Sequence, residues 1–244
     1  MGVQQTAAVS RLGNRQGFTL IEMAIVLVII GLLIGGVLKG QELIDNTKVK
    51  RAVNDMNSIS AAYNGYLDRY QAIPGDDTAG GAAGSTVNLV ARGGNWINIT
   101  AAGNGNGVLT IVPGNTFVVG GEVVPFWQDL RAAGFISGSP AAATILAGIL
   151  PTNPFNGLMG VSVNSTLVTG MNGTGLSVCL SQVPGKMAAQ IDKQLDDGIS
   201  NSGTVRATLG VVGANTPPGA AAVPGAAGQS GYNEANVYTV CMSM

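Results

Sequence analysis

Apolar residues run almost unbroken from Phe18 to Leu38, and the pattern changes twice beyond that point. Glu22 is the only charged side chain in the run, whose 21 residues would extend about 31 Å as a helix, against about 30 Å for a bilayer core. From Val49 the apolar positions thin to a single stripe. Val49, Ala52, Met56, Ile59, Tyr63, Tyr66 and Tyr70 recur in steps of three and four, the spacing of one face of an amphipathic helix. Pro74-Gly75-Asp76-Asp77 then stops the pattern, because Pro and Pro-Gly pairs end helices. One helix from Phe18 to about Ala72, roughly 80 Å long, is therefore expected. Its first half suits lipid or partner helices, and its second half needs a protein face to cover it.

After residue 75 the pattern breaks into short apolar runs separated by Gly-, Asn- and Pro-rich stretches. The runs predict strands at Val87–Ala91, Trp96–Thr100, Val108–Val112, Thr116–Val119, Met159–Val163, Ser177–Ser181, Val205–Val212 and Val237–Met242. Two short helices are expected as well. Phe126–Ala133 is followed by Gly134, a C-cap residue, and Lys186–Leu195 places Met187, Ile191 and Leu195 on one face. Gly219–Gly228 is Ala-, Gly- and Pro-rich and reads as a flexible loop. No internal repeat is evident.

Composition narrows the class. Charged residues make up 10% of the chain and the net charge is −1, so there is no basic patch of the nucleic-acid-binding type. Arg11 and Arg15 precede the apolar run with no acid beside them, while Lys39, Lys48, Lys50 and Arg51 follow it. Counting positive charges therefore leaves the orientation of the span equivocal, since large C-terminal domains translocate regardless of charge. Lys39-Gly40-Gln41-Glu42 offers no small-residue signal-peptidase site after the run, so the apolar segment is expected to be retained. The abundant Gly with few aromatics describes a loop-rich, weakly charged surface domain. Cys179 and Cys241, beyond a membrane segment, suggest one disulfide in an oxidising compartment; two unlinked buried thiols are the alternative.

Candidate chemistry is sparse. The chain has no histidine, which removes the commonest general base, the commonest metal ligand and any Ser-His-Asp triad. No nucleophile elbow or phosphate-binding loop is present; Gly103–Gly107 (GNGNG) matches neither glycine fingerprint. These features argue against an enzyme. Asp192, Asp196 and Asp197, ahead of Gly198, form one candidate metal site: clustered oxygens beside a turn suit calcium, which takes six to eight oxygen ligands. A solvated helix end is the competing reading, and the same pair of readings applies to Asp76-Asp77. Within the apolar run, Gly31 and Gly35, then Gly36 and Gly40, form two small-x-x-x-small pairs, which let helix backbones approach closely. A membrane carboxylate such as Glu22 is costly and marks function by default.

Arg15-Gln16-Gly17-Phe18-Thr19-Leu20-Ile21-Glu22-Met23 closely resembles the processing and methylation motif of type IV pilins and their pseudopilin relatives. A basic leader, the Gly-Phe junction, a carboxylate four residues after Phe18 and a long apolar run are combined there. The resemblance is strict over about the first 60 residues; the Pro-Gly-Asp after the helix, Phe126-Trp127 with Leu130 and Ala133-Gly134, and the late cysteine pair resemble the group less specifically.

The resemblance implies cleavage between Gly17 and Phe18 by a prepilin peptidase, followed by N-methylation of Phe18. It implies an N-in, head-out orientation: inner membrane first, with the head in the periplasm, then a cell-surface pilus. The implied fold is α+β and pilin-like, a long N-terminal α-helix packed on an antiparallel β-sheet head with a disulfide-bounded C-terminal region. Residues 1–17 would be leader, 18–72 the helix (18–38 membrane span and filament core, 39–72 amphipathic) and 73–244 the β-rich head. Partners would be further copies of the chain in a filament, minor pilins, the prepilin peptidase/methyltransferase and an inner-membrane assembly platform. No cofactor is implied apart from the possible calcium. In the family, the glutamate at the Glu22 position neutralises the N-terminus of a neighbouring subunit. The leader is longer than is usual for pilins beginning with Phe, the head is larger than that of a typical major pseudopilin, and the helix lacks the proline common near the end of the apolar core. A pilus subunit, a type II secretion pseudopilin and a membrane-anchored binding domain are the three readings.

Overall fold

The computed structural model describes residues 17–141, 146–164, 175–219 and 231–244. The expected leader, apart from Gly17, and most of the loop expected at Gly219–Gly228 lie outside the described residues. The chain divides into two compact units, one running to Ile44 and the other from Asp45 to Met244.

The first unit is the apolar part of helix α1, Leu20–Tyr70. Ile25, Val26, Val28, Ile29 and Ile30 are β-branched, which weakens helix propensity in water. In lipid the balance reverses, because a single spanning segment satisfies its backbone only as a helix. No residue from Phe18 to Ile44 is buried against its own chain.

In the second unit, Val49, Ala52, Met56, Ile59, Ala62 and Tyr66 of α1 are buried in the core. The stripe is the one the spacing predicts, except that Ala62 is fully buried while Tyr63 and Tyr70 pack only partly. The helix stops at Tyr70, where Gln71 turns left-handed at φ 52°, two residues before the expected end.

The sheet has four strands: β1 (Met159–Val163), β2 (Leu176–Pro184), β3 (Val205–Leu209) and β4 (Val237–Ser243). Their spatial order is β1-β2-β4-β3, with every neighbouring pair antiparallel. Cys179 faces Cys241 directly across β2 and β4, and the two are joined in a disulfide. The pair ties together strands separated by 62 residues. With the long helix, this makes a pilin-like α+β fold.

Four expected strands are corrected. Val87–Val90 is a short helix, α2, and Trp96 sits in the 3-10 turn Gly94–Asn98. Thr116–Val119 is a turn whose Thr116 and Val118 N–H groups bond back to Pro113 and Asn115. Val108–Val112 is the instructive case. Leu109 and Ile111 are buried while Val108, Thr110 and Val112 are exposed, which is the alternation of a strand. Yet the Thr110 N–H donates to the Glu122 carboxylate at 2.5 Å and the Val108 N–H to the Asn106 side chain at 3.0 Å. Side chains supply the acceptors that a neighbouring strand would otherwise provide. The expected run to Val212 also ends early, at Leu209, with Val211 and Val212 exposed.

Helix α3 (Val123–Ala132) is buried almost all round, including Phe126, Trp127 and Leu130. It ends in a Schellman motif: the Phe135 N–H donates to the Leu130 carbonyl and the Gly134 N–H to that of Arg131. The left-handed φ of 81° at Gly134 is what such a cap needs and what a Cβ opposes. A short α4 (Leu146–Ile149) follows, and α5 (Gly185–Leu195) runs on from β2.

Candidate functional site

The N-terminal site is built from Gly17, Phe18, Thr19 and Glu22. Residues 17–19 precede the helix in irregular, exposed backbone, so the Gly17–Phe18 bond is accessible, as a scissile bond must be. The Phe18 side chain is 80% exposed. Thr19 and Glu22 form a capping box. The Thr19 N–H and hydroxyl both donate to Glu22 Oε2 at 2.8 Å, and the Glu22 N–H donates to Thr19 Oγ1 at 3.3 Å. A helix N-terminus leaves N–H donors unsatisfied and carries partial positive charge, so the box answers both needs within one turn. Thr19 therefore has a role that the motif reading alone left unassigned. The Thr-x-x-Glu spacing was the signal for it.

Behind this turn, α1 presents apolar side chains on every face, among them Leu27 (70% exposed) and Leu32 (72% exposed). The helix is long and apolar enough to cross a membrane. At Gly31, Gly35, Gly36 and Gly40 a Cβ would meet no atom within 4 Å. Within the first unit these glycine faces are bare, which leaves room for another backbone to approach.

In the head, Asp192, Asp196 and Asp197 do come together, with an oxygen of each within 4.8 Å of the others. Their hydrogen bonds decide what they suit. Asp192 is buried and accepts from the Tyr232 hydroxyl at 2.6 Å and the Gly198 N–H at 3.0 Å. Asp196 accepts from the N–H groups of Thr204 and Val205. Asp197 accepts from the Ile199 N–H and the Ser202 hydroxyl. With these donors the three aspartates form a hydrogen-bonded turn closing α5. Burial leaves the Asp192 carboxyl pushed up to about 6, with the hydrogen bonds from Tyr232 and Gly198 opposing the rise and the charges of Asp197 and Asp196 adding to it.

Asp76 and Asp77 are likewise occupied. Asp76 accepts the N–H groups of Gly105, Asn106 and Gly107, so the GNGNG run wraps a carboxylate of its own chain. Asp77 accepts from the Tyr66 hydroxyl at 2.7 Å and pairs with Arg92 at 2.9 Å. The Arg92 guanidinium also lies 4.6 Å from the ring centres of both Tyr70 and Trp96, within cation–π range. This network anchors the loop after α1 to the helix. Nearby, Asp129 receives the Gly75 N–H at 2.8 Å, and burial holds its carboxyl well above the usual range.

No curated protein matches the chain. Residues 12–38 match the prokaryotic N-terminal methylation motif, which implies processing by a prepilin peptidase and goes with proteins that are structural rather than catalytic. The chain thus carries the type IV pilin and pseudopilin signature at its N-terminus, ahead of a head of pilin-like α+β fold.

Proposed function

We propose that the chain is the structural subunit of a type IV pilus-like filament. It would be cut between Gly17 and Phe18, N-methylated on Phe18 and drawn from the inner membrane into a filament, with its head outward. The observation that carries this reading is the apolar half of α1. Every described residue there is free of burial by its own chain, and the small-residue faces Gly31/Gly35 and Gly36/Gly40 stand open. Lipid serves such a surface before assembly, and the same segment of neighbouring copies serves it afterwards.

In this account Glu22 has two successive partners. In the free subunit it caps its own helix through Thr19. In the filament it meets the Phe18 ammonium of a neighbour, where the low dielectric makes a charge pair far stronger than in water. Register is then selected, because a shifted neighbour leaves both charges unpaired in an apolar core. The test is deletion and complementation of the gene, followed by electron microscopy and a secretion assay. Loss of surface filaments supports the proposal. A secretion defect with filaments intact supports a pseudopilin instead.

A further inference from the structure

The head contains a cleft of about 420 Å³ between one face of α1 and one face of α3. Arg51, Asp55 and Ser58 line it from α1, Trp127 and Arg131 from α3, and Ser137 from the loop after α3. Trp127 and Arg131 are four residues apart, as are Arg51 and Asp55, so each pair shares a helix face.

Two of the lining side chains are incompletely satisfied. Trp127 is fully buried, and its indole Nε1–H has no hydrogen-bond partner. Arg131 is 8% exposed; its Nη2 donates to the Ile149 carbonyl at 2.6 Å, while its Nε–H is unpartnered. Gly138 lies close against this guanidinium, and a Cβ there would come within 3.1 Å of Nε. Among the described residues, no carboxylate forms an ion pair with Arg131. Asp55, the only acid lining the cleft among the described residues, lies 3.8 Å from Arg51 instead. Leaving buried donors and a buried cation unanswered is costly, and native folds rarely do so without a reason.

We propose that this cleft is a binding site for a carboxylate. The chemistry of the lining selects that class. A guanidinium fork and an indole N–H are donors only, so they demand an acceptor, and the fork matches the planar carboxylate. Two arginines against one aspartate leave a single net positive charge, which suits a monoanion. The Ile59, Phe135 and Ile136 side chains in the same wall suit a carboxylate carried on a small apolar body. The carboxylate comes either from a free small molecule or from an acidic side chain of a second copy of this chain.

The test uses the full-length, 15N-labelled chain in detergent micelles. The chain has two tryptophans, so two indole N–H resonances are followed, with Trp127→Phe assigning the one that matters. Sodium acetate is titrated against sodium chloride at equal ionic strength. The expected result is a saturable downfield shift of the Trp127 indole proton with acetate but not chloride, while Trp96 stays still. Arg51→Gln, at a side chain 72% exposed and so harmless to the fold, should weaken acetate binding about fivefold. A Trp127 shift that instead grows with protein concentration, and is reversed by acetate, assigns the carboxylate to a second copy. An indole moved by neither acetate nor protein concentration, or moved equally by chloride, overturns the proposal.

Discussion

The two units of this chain solve the problem of satisfying their surfaces in opposite ways. From Asp45 onward the head answers most of its own buried polar groups, many of them over long sequence distances. Asp76 gathers three N–H groups from residues about thirty positions on, Glu122 serves Thr110, and Gln128 serves Thr100 and Ala101. Up to Leu38 the described side chains are apolar and bare apart from the first turn, where Thr19 and Glu22 answer each other. A contiguous exposed apolar surface on this scale marks a site of interaction with lipid or protein. The head is thus complete as a fold, whereas the N-terminal segment is complete only in company. Substitutions in the first unit should therefore act on assembly, and those in the second on stability.

The sharpest way to break that division is Glu22→Val. It removes the one carboxylate of the span, should leave membrane insertion and head stability unchanged, and should abolish filaments in a shear assay. Filaments of normal number and length in that variant would end the assembly role of Glu22. The converse substitution is Phe126→Ala, in the buried heart of α3. It should cost about 3–5 kcal/mol of head stability, read from denaturant unfolding of the micelle-bound chain, with insertion unaltered.

Breaking the tie between β2 and β4 comes next. Replacing both Cys179 and Cys241 with Ser should cost roughly 2–5 kcal/mol, and a melt unchanged by reductant would show that the disulfide does little for the head. The smallest expected effect concerns pH. Asp192 binds its proton at about pH 6 in the fold and near 3.8 when unfolded. Between those values the folded chain holds more protons, so stability falls as pH rises from about 4 to about 6. Asp192→Asn should flatten part of that slope, with buried Asp129 contributing in the same direction. At neutral pH, millimolar calcium should leave the melting temperature unmoved; a rise of several degrees, lost in Asp196→Asn, would show that Asp192, Asp196 and Asp197 hold the ion.

Regular periodicity carried the legible part of the fold. The α1 stripe, the strands β1, β2 and β4 and the cap at Gly134 follow from side-chain spacing and turn chemistry, which are local properties. The region between α1 and α3 was not legible in this way. Val108–Val112 has a strand's alternation without a strand's ladder, because Glu122 and Asn106 take the Thr110 and Val108 N–H groups, and β1 reaches it through the Val163 N–H on the Ile111 carbonyl. Hydrogen bonds from side chain to backbone leave no period in the sequence. The capping box was legible in Thr19 and Glu22, three positions apart in a recognisable pattern. The cleft at Trp127 and Arg131 was not, since it depends on two helices distant in sequence presenting their faces to each other.

If the bare half of α1 belongs to a processed filament subunit, the new N-terminus must show it. Intact mass with N-terminal fragmentation, on protein sheared from the cell surface and on the membrane fraction, tests it most directly. A processed filament subunit carries a methylated Phe18 terminus, with residues 1–17 gone, in the sheared fraction. An uncut chain, in cells that process their other pilins, would contradict it and leave the apolar helix as a simple tether.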